Sequence, residues 1–531
     1  TMESDIAGPP LNRLPDPARR RALAGLSALS LSPWLVADAL AETSIHALPR
    51  VALVVGNCAY ADSPLQNPIN DANAIARELR QSGFTVELQT DASREAMQKA
   101  ITAFCVQLAK QKAVGLFYFA GHGLQLDWRN YLVPVDARLV SAADVTRSTV
   151  DLSSLFGGLS RAGNPMNIVV LDACRDNPFG SDHKTGRGLS QMDAPAGTFL
   201  AYATAPGNVA ADGSGKHGLY TENILREMRA PDAKIEDVFK RVRLSVRRSS
   251  AGQQIPWEST SLEEDFYFKP PANLRKRSEE ELLKLFEDEQ KLWKPAEDAS
   301  DPGPVLAYLE HYPSGHFSEF AQAKLDRMLA RQGEKRIRLA DATHNPFTKG
   351  TRAIGEFRVG DLYEYRIVDL LTQMQTAQYK QRVTAVSENE VLYNNGQVIT
   401  DCFGNLRKNA RGYRWSGAQL FVAEYSVGKR WNARYSLYFP DGKEDVIERE
   451  CRVVGVESVT VGAGTFECFR IESAGWIMQR GIALESVYWV CPDRVNRFVV
   501  FEHREKNRFG KFIKTDRTEL ASFAPAAATV Q

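Results

Sequence analysis

At 531 residues the chain is too long for one ordinary domain and is expected to hold roughly two to four. Its apolar share of 44% and net charge of +1 fit a globular protein and exclude the basic footprint of a nucleic-acid or anionic-membrane binder. Seven cysteines, with no Cys-x-x-Cys pair among them, are too few for a disulfide scaffold and argue against a zinc site of the usual spacing.

Residues 1–41 have the layout of an export signal. Arg19, Arg20 and Arg21 precede a mildly apolar run from Ala22, which ends in the small-residue site Ala39-Leu40-Ala41. The arginines resemble a twin-arginine signal, although Pro33 and Asp38 interrupt the run. The expected location is periplasmic or secreted; a short amphipathic helix at this end leaves cytoplasmic as the alternative. No other run is long and apolar enough to cross a bilayer, so no transmembrane segment is expected after signal removal. Export would suit disulfides among Cys402, Cys451, Cys468 and Cys491, with the pairing undetermined.

Residues 50–268 alternate between strand and helix patterns. Arg50–Gly56 is a continuous apolar run, as in a strand buried on both faces. Asn70–Gly83 has helical spacing at Ala72, Ile75, Ala76 and Leu79, with Gly83 placed to end the helix. Phe84–Leu88 reads as a strand. Ser93–Ala109 reads as a helix capped by Ser93. Strands come next at Leu116–Phe119, Asn130–Val135, Ile168–Leu171 and Thr198–Ala203. Leu152–Leu159, Gly218–Met228 and Ile235–Val246 are helical. This alternation predicts an α/β domain, a mostly parallel sheet flanked by helices. Pro270-Pro271 closes it. Residues 272–340 read as a helical spacer, opened by a capping box at Ser278 and Glu281. Residues 355–523 carry alternating strand patterns and the turn dipeptides Asn395-Gly396 and Asp441-Gly442, which predict a mainly antiparallel β domain.

Ligands of such α/β sheets bind beyond the carboxyl ends of the strands. The strand before His122 and the strand before Cys174 both lead there, each running out into a polar loop. A Cys with a His about fifty residues upstream is a spacing described for caspase-type proteases. A thiolate nucleophile, an imidazole for proton transfer and N–H donors for the oxyanion make a cysteine peptidase. Cys174 and His122 supply the first two. The N–H groups of Gly123 and Cys174 are the natural oxyanion donors, since glycine beside His122 lets backbone approach a ligand closely. Taken singly, each residue reads as structural, a buried thiol or a satisfied histidine; together they do not. Cys58 and Cys105 are weaker nucleophile candidates.

Phe117-Tyr-Phe-Ala-Gly-His-Gly123 and Leu171-Asp-Ala-Cys-Arg-Asp-Asn-Pro178 resemble the caspase-like peptidases, specifically bacterial members related to metacaspases and orthocaspases. Ala52–Asn57, Asn67–Ala72, Tyr202–Gly207, Gly218–Thr221 and Gln254–Trp257 match as well. The resemblance covers residues 50–268. It implies a caspase/haemoglobinase fold, a His122–Cys174 dyad and cleavage of protein or peptide substrates after Arg or Lys. By motif match the pocket carboxylates are Asp71 and Asp172, suited to a guanidinium by paired hydrogen bonds. Asp71 also reads as a helix N-cap, and Asp172 as a loop-ordering carboxylate. Two departures stand out: Ala120 where Ser is common, and Arg175 where His is. Loops after the nucleophile are often self-cleaved in this family, which makes Lys184, Arg187 and later Lys216 the candidate sites. No cofactor or metal is required; the resemblance admits calcium, but no site can be assigned. Val459–Phe466 resembles a motif of exported β-rich domains of unknown function, and an envelope partner is the default expectation for the last domain. The alternative reading is a catalytically idle caspase-like scaffold or binding protein of the cell envelope.

Overall fold

Apolar strands flanked by amphipathic helices dictate the first half of the architecture. The computed structural model describes residues 45–174, 189, 190, 192, 195–205, 215–262, 264–272, 278–334, 352, 353, 355–387 and 389–526. The expected export signal and the loop carrying Lys184 and Arg187 lie outside the described residues. From Pro49 onward the chain clusters as one contact unit.

The elements of the first domain are β1 (Arg50–Gly56), α1 (Pro68–Gln81), β2 (Phe84–Thr90), α2 (Arg94–Gln111), β3 (Val114–Leu126), β4 (Arg129–Leu132), α3 (Ala142–Ser148), β5 (Val150–Asp151), α4 (Leu152–Ala162), β6 (Asn167–Cys174), β7 (Thr198–Tyr202), α5 (Leu219–Glu227), α6 (Ile235–Ser249) and β8 (Trp257–Thr260). The main sheet runs β2-β1-β3-β6-β7-β8. Its first five strands are parallel and β8 is antiparallel to β7. Side chains alternate between the faces. Val51, Leu53, Phe117, Phe119 and Val169 join Phe104 and Leu108 of α2 and Leu155 and Leu159 of α4 in one buried core. On the opposite face α1 packs against β1 and β3, and α5 lies beside α1 and α6. Helix and strand are close there: a Cβ on Gly56 would stand 2.5 Å from the Pro68 carbonyl oxygen.

The expected strand Leu116–Phe119 is longer in the structure. β3 continues through His122 to Leu126, where its second half pairs antiparallel with β4. His122 therefore sits within a strand and not in a loop. The change of partner is made at Gly121, whose φ of +154° suits glycine.

Three helices come after this domain: α7 (Glu279–Asp298), α8 (Pro302–His311) and α9 (Ser318–Arg331). The capping box at the head of α7 is formed, Ser278 Oγ accepting from Glu281 N–H and Glu281 from Ser278 N–H. These helices are more than a spacer, for Trp293, Tyr308, Phe317 and Leu325 form a core that also takes in Leu244 of α6. The last segment closes into a barrel of twelve strands, from Leu362–Asp369 to Phe512–Ala524, which pair with each other. Alternation sends Tyr363 and Tyr365 inward. There Arg497, with Tyr393, lies among their rings and donates to Gln381. Of the late cysteines, Cys451 donates to Ser473 Oγ and Cys491 to Asp493, both at 3.5 Å; these two are free thiols, against the disulfides expected there. Among the described residues no helix is long and apolar enough to cross a membrane.

Candidate active site

β3 and β6 lie side by side in parallel, and their register sets Ala120 opposite Asp172, Gly121 opposite Ala173 and His122 opposite Cys174. Adjacent strands are about 4.8 Å apart, so the two expected dyad positions are direct neighbours across the ladder. Cys174 is the last residue of its strand.

The histidine is held on three sides. Tyr60, from the loop after β1, places its ring 4.4 Å from the imidazole. Its hydroxyl accepts the His122 N–H at 2.9 Å and donates to the Val133 carbonyl at 3.0 Å. It therefore bridges β3 to the chain beyond β4. Gly121 makes room for it, since a Cβ there would stand 2.5 Å from that hydroxyl oxygen. On the far side His122 Nε2 lies 2.7 Å from the Ser63 carbonyl oxygen. A carbonyl only accepts, so Nε2 carries a proton in this contact and Nδ1 is the nitrogen left to exchange one.

Gly123 pairs with Leu132 across β3 and β4. Val133 N–H donates to the His122 carbonyl at 2.9 Å, which marks 122/133 as a hydrogen-bonded pair. By antiparallel alternation 123/132 is the other kind, and the Gly123 N–H points away from β4. A Cβ on Gly123 would stand 2.9 Å from that of Ala173, so only glycine lets the two strand ends come this close.

The two carboxylates are both buried, Asp71 at 2% and Asp172 at 8% exposure. Asp172 accepts from Thr221 Oγ1 at 2.6 Å, and that hydroxyl is 2.6 Å from Tyr118 Oη. Burial, then Asp172, then Asp71 push the Tyr118 phenol well above its usual range, so both acids act on one buried hydroxyl below the strand ends. Asp71 lies within α1, whose N-cap is Asn67; the N-cap reading of Asp71 is thus corrected. Its carboxylate is bound to His217 Nδ1 at 2.8 Å and accepts the Gly218 N–H at 3.2 and 3.3 Å. Lys216, the described self-cleavage candidate, is exposed and immediately precedes that histidine.

Sequence reasoning missed Tyr60, Ser63, His217 and Thr221. Only Thr221 left a trace, as part of a matched segment with no role. The weaker nucleophile candidates have structural surroundings: Cys58 Sγ accepts the Ile69 N–H, and Cys105 faces Gly158 of α4 with its thiol pushed up by burial. Among the described residues no group of three His, Cys, Asp or Glu side chains is set to hold a metal ion, so no calcium ligands can be named.

The family model described as Caspase domain (Peptidase_C14) matches residues 49–267. Mucosa-associated lymphoid tissue lymphoma translocation protein 1 of Homo sapiens is 29% identical over 159 residues, which cover 30% of this chain and 19% of that protein. Its Mus musculus homolog is 29% identical over 159 residues, covering 30% of this chain and 18% of the homolog. The chain thus spans about a fifth of the length of these curated relatives. Among solved structures, the crystal structure of the Drosophila initiator caspase Dronc aligns with a TM-score of 0.32 at 17% identity, covering 41% of this chain and 83% of that one. Residues 49–267 thus match the Caspase domain model and form a caspase-like α/β domain.

Proposed function

We propose that the chain is an endopeptidase cleaving after Arg or Lys through a His122–Cys174 dyad. The observation that carries this is the cross-strand register: His122 lies opposite Cys174, with the buried Asp172 two residues earlier on the same strand. In this reading Cys174 sulfur attacks the scissile carbonyl and its proton passes to His122 Nδ1. The oxyanion is met by the N–H groups of Gly123 and Cys174. His122 returns the proton to the leaving amine, and water then cleaves the acyl-enzyme.

A cationic side chain of the substrate would be read by Asp172. Asp71 would act at longer range, because its oxygens already bind His217 and Gly218. Activation would follow self-cleavage after Lys184 or Arg187, with Lys216 as a later candidate whose cleavage would cut beside that contact. Export and an envelope partner for the barrel remain part of the proposal. Peptide-library profiling of purified protein against Cys174→Ala tests the core of it. Turnover after Arg and Lys, abolished in Cys174→Ala and cut about 100-fold by Asp172→Asn, is the expected result, since a charge-paired contact carries a few kcal/mol. Absence of turnover on Arg, Lys and Asp substrates would favour the idle scaffold.

A further inference from the structure

A cleft lies away from the dyad, where α6 and β8 meet α9 and the loops at the barrel's end. It has a volume of about 660 Å³, in the range that accommodates a ligand of a few residues. One of its walls holds Arg243 of α6. This residue is 9% exposed, and its guanidinium carbon lies 5.1 Å from the centre of the Trp257 ring. Its Nε is enclosed without an acceptor. A buried guanidinium nitrogen with no acceptor is costly.

The acids of the same cleft do not answer it. Asp326 is bound to Arg247, one turn along α6. Glu319 is bound to Lys429 and accepts the N–H groups of Ala423 and Glu424. Burial pushes the Glu424 carboxyl up to about 7, against Lys429 and Arg243, which favour its charged form; it acts on Arg243 through charge and not through a hydrogen bond. Apolar surface completes the wall, from Trp257, Leu309 and Phe357.

We propose that this cleft binds the carboxyl terminus of a peptide, with the carboxylate on Arg243 and an apolar last side chain against Trp257 and Phe357. The planar fork of Arg243 grips one carboxylate with two bonds. Lys240, Arg327 and Arg331 line the cleft as well, but Glu258, Glu319, Glu356 and Glu424 stand among them, and walls of mixed sign suit a singly charged carboxylate better than a multiply charged phosphate. The site is independent of the proposed peptidase activity and is tested without it.

Isothermal titration of full-length Cys174→Ala with N-acetyl-Ala-Leu-Phe as the free acid and as the C-terminal amide tests the site, with sodium sulfate as a competitor. The acid is expected to bind at least tenfold tighter than the amide, with sulfate a weak competitor. Arg243→Met should lose that difference while melting no lower than its parent, because it removes a buried charge whose Nε has no acceptor. Glu424→Gln, a second variant in the same wall, should keep it. Equal binding of acid and amide, full displacement by millimolar sulfate, retention of the preference in Arg243→Met, or no binding of either peptide overturns the proposal.

Discussion

Tyr60 shows how much of the site rests on a residue that takes no part in the proposed chemistry. Its hydroxyl satisfies one N–H of His122 and one carbonyl of Val133, both at a point where β3 leaves the main sheet. Tyr60→Phe keeps the ring against the imidazole but orphans the His122 N–H, while the Val133 carbonyl keeps the Asn57 amide at 3.3 Å. The expected cost is about 1–3 kcal/mol of stability, the desolvation penalty of a buried group left unmade. The kinetic signature should be a fall in kcat with KM little changed, since the histidine is displaced while the pocket acids are not. A fall in KM-controlled steps alone, measured on an Arg substrate, would argue against this role. Nothing in the local pattern singles out Tyr60, because its partner is sixty-two residues away in sequence. His122 and Cys174, by contrast, were legible because each sits at the end of an apolar run.

The same contrast holds among the elements. Central strands such as β1 and β6 were readable as unbroken apolar runs, and α1 and α2 as helices with a 3.6-residue stripe. β8 and α3 were not, for four residues and seven residues carry too little periodicity. The full length of β3 was hidden because glycines on both sides of His122 read as a loop, whereas the structure uses them as a pivot and a close contact. Gly121→Ala tests the pivot. A methyl group there meets the Tyr60 hydroxyl and forces a residue with a side chain into positive φ. About 1–3 kcal/mol of destabilisation is expected from overpacking and strain, with activity lost well before unfolding, as thermal melts beside activity assays would show.

In the helical segment, Glu289 is 4% exposed and accepts from Tyr308 Oη at 2.6 Å and from the Phe317 N–H at 3.3 Å, with His316 Nδ1 at 2.8 Å. Burial pushes its carboxyl up, but the bonds from His316 and Tyr308 outweigh burial and hold it below the usual range. A depressed carboxylate stabilises the fold fully above its ordinary pKa of about 4.3 and loses that contribution as pH falls through the lowered value. Glu289→Gln should therefore cost about 1.5–3 kcal/mol at pH 7. The gap between variant and parent should narrow below about pH 4. Melts from pH 3 to 7 check it, and a gap that stays constant with pH would contradict the charged reading.

At the scale of the whole molecule, the caspase-like domain is joined to the helical segment by packing that no sequence pattern reveals. Leu244 of α6 enters the core of the helical segment, and Arg247 of α6, 5% exposed, binds Asp326 of α9 and Glu334 just beyond it. The apolar stripe of α6 was visible; that its arginines face another segment was not, because exposed and paired arginines look alike in a sequence. The neighbouring Arg248 provides the control. It is 58% exposed and binds Glu310, itself 53% exposed, so solvent screens the pair and Arg248→Ala should change stability by less than about 1 kcal/mol. Arg247→Ala removes a buried cation shared by two acids. Glu334 is then left 12% exposed without its counter-ion, while Asp326, at 41%, recovers part of its hydration. The cost should fall near ~2 kcal/mol, below the ~3–5 expected when every remaining charge stays buried. Because the lost contacts lie between segments, the loss should be local. Hydrogen exchange should quicken in α6 and α9 while the amides of β1 and β6 keep their protection. Equal quickening across the central sheet would mean that Arg247 supports the caspase-like fold itself and not its attachment to the helical segment.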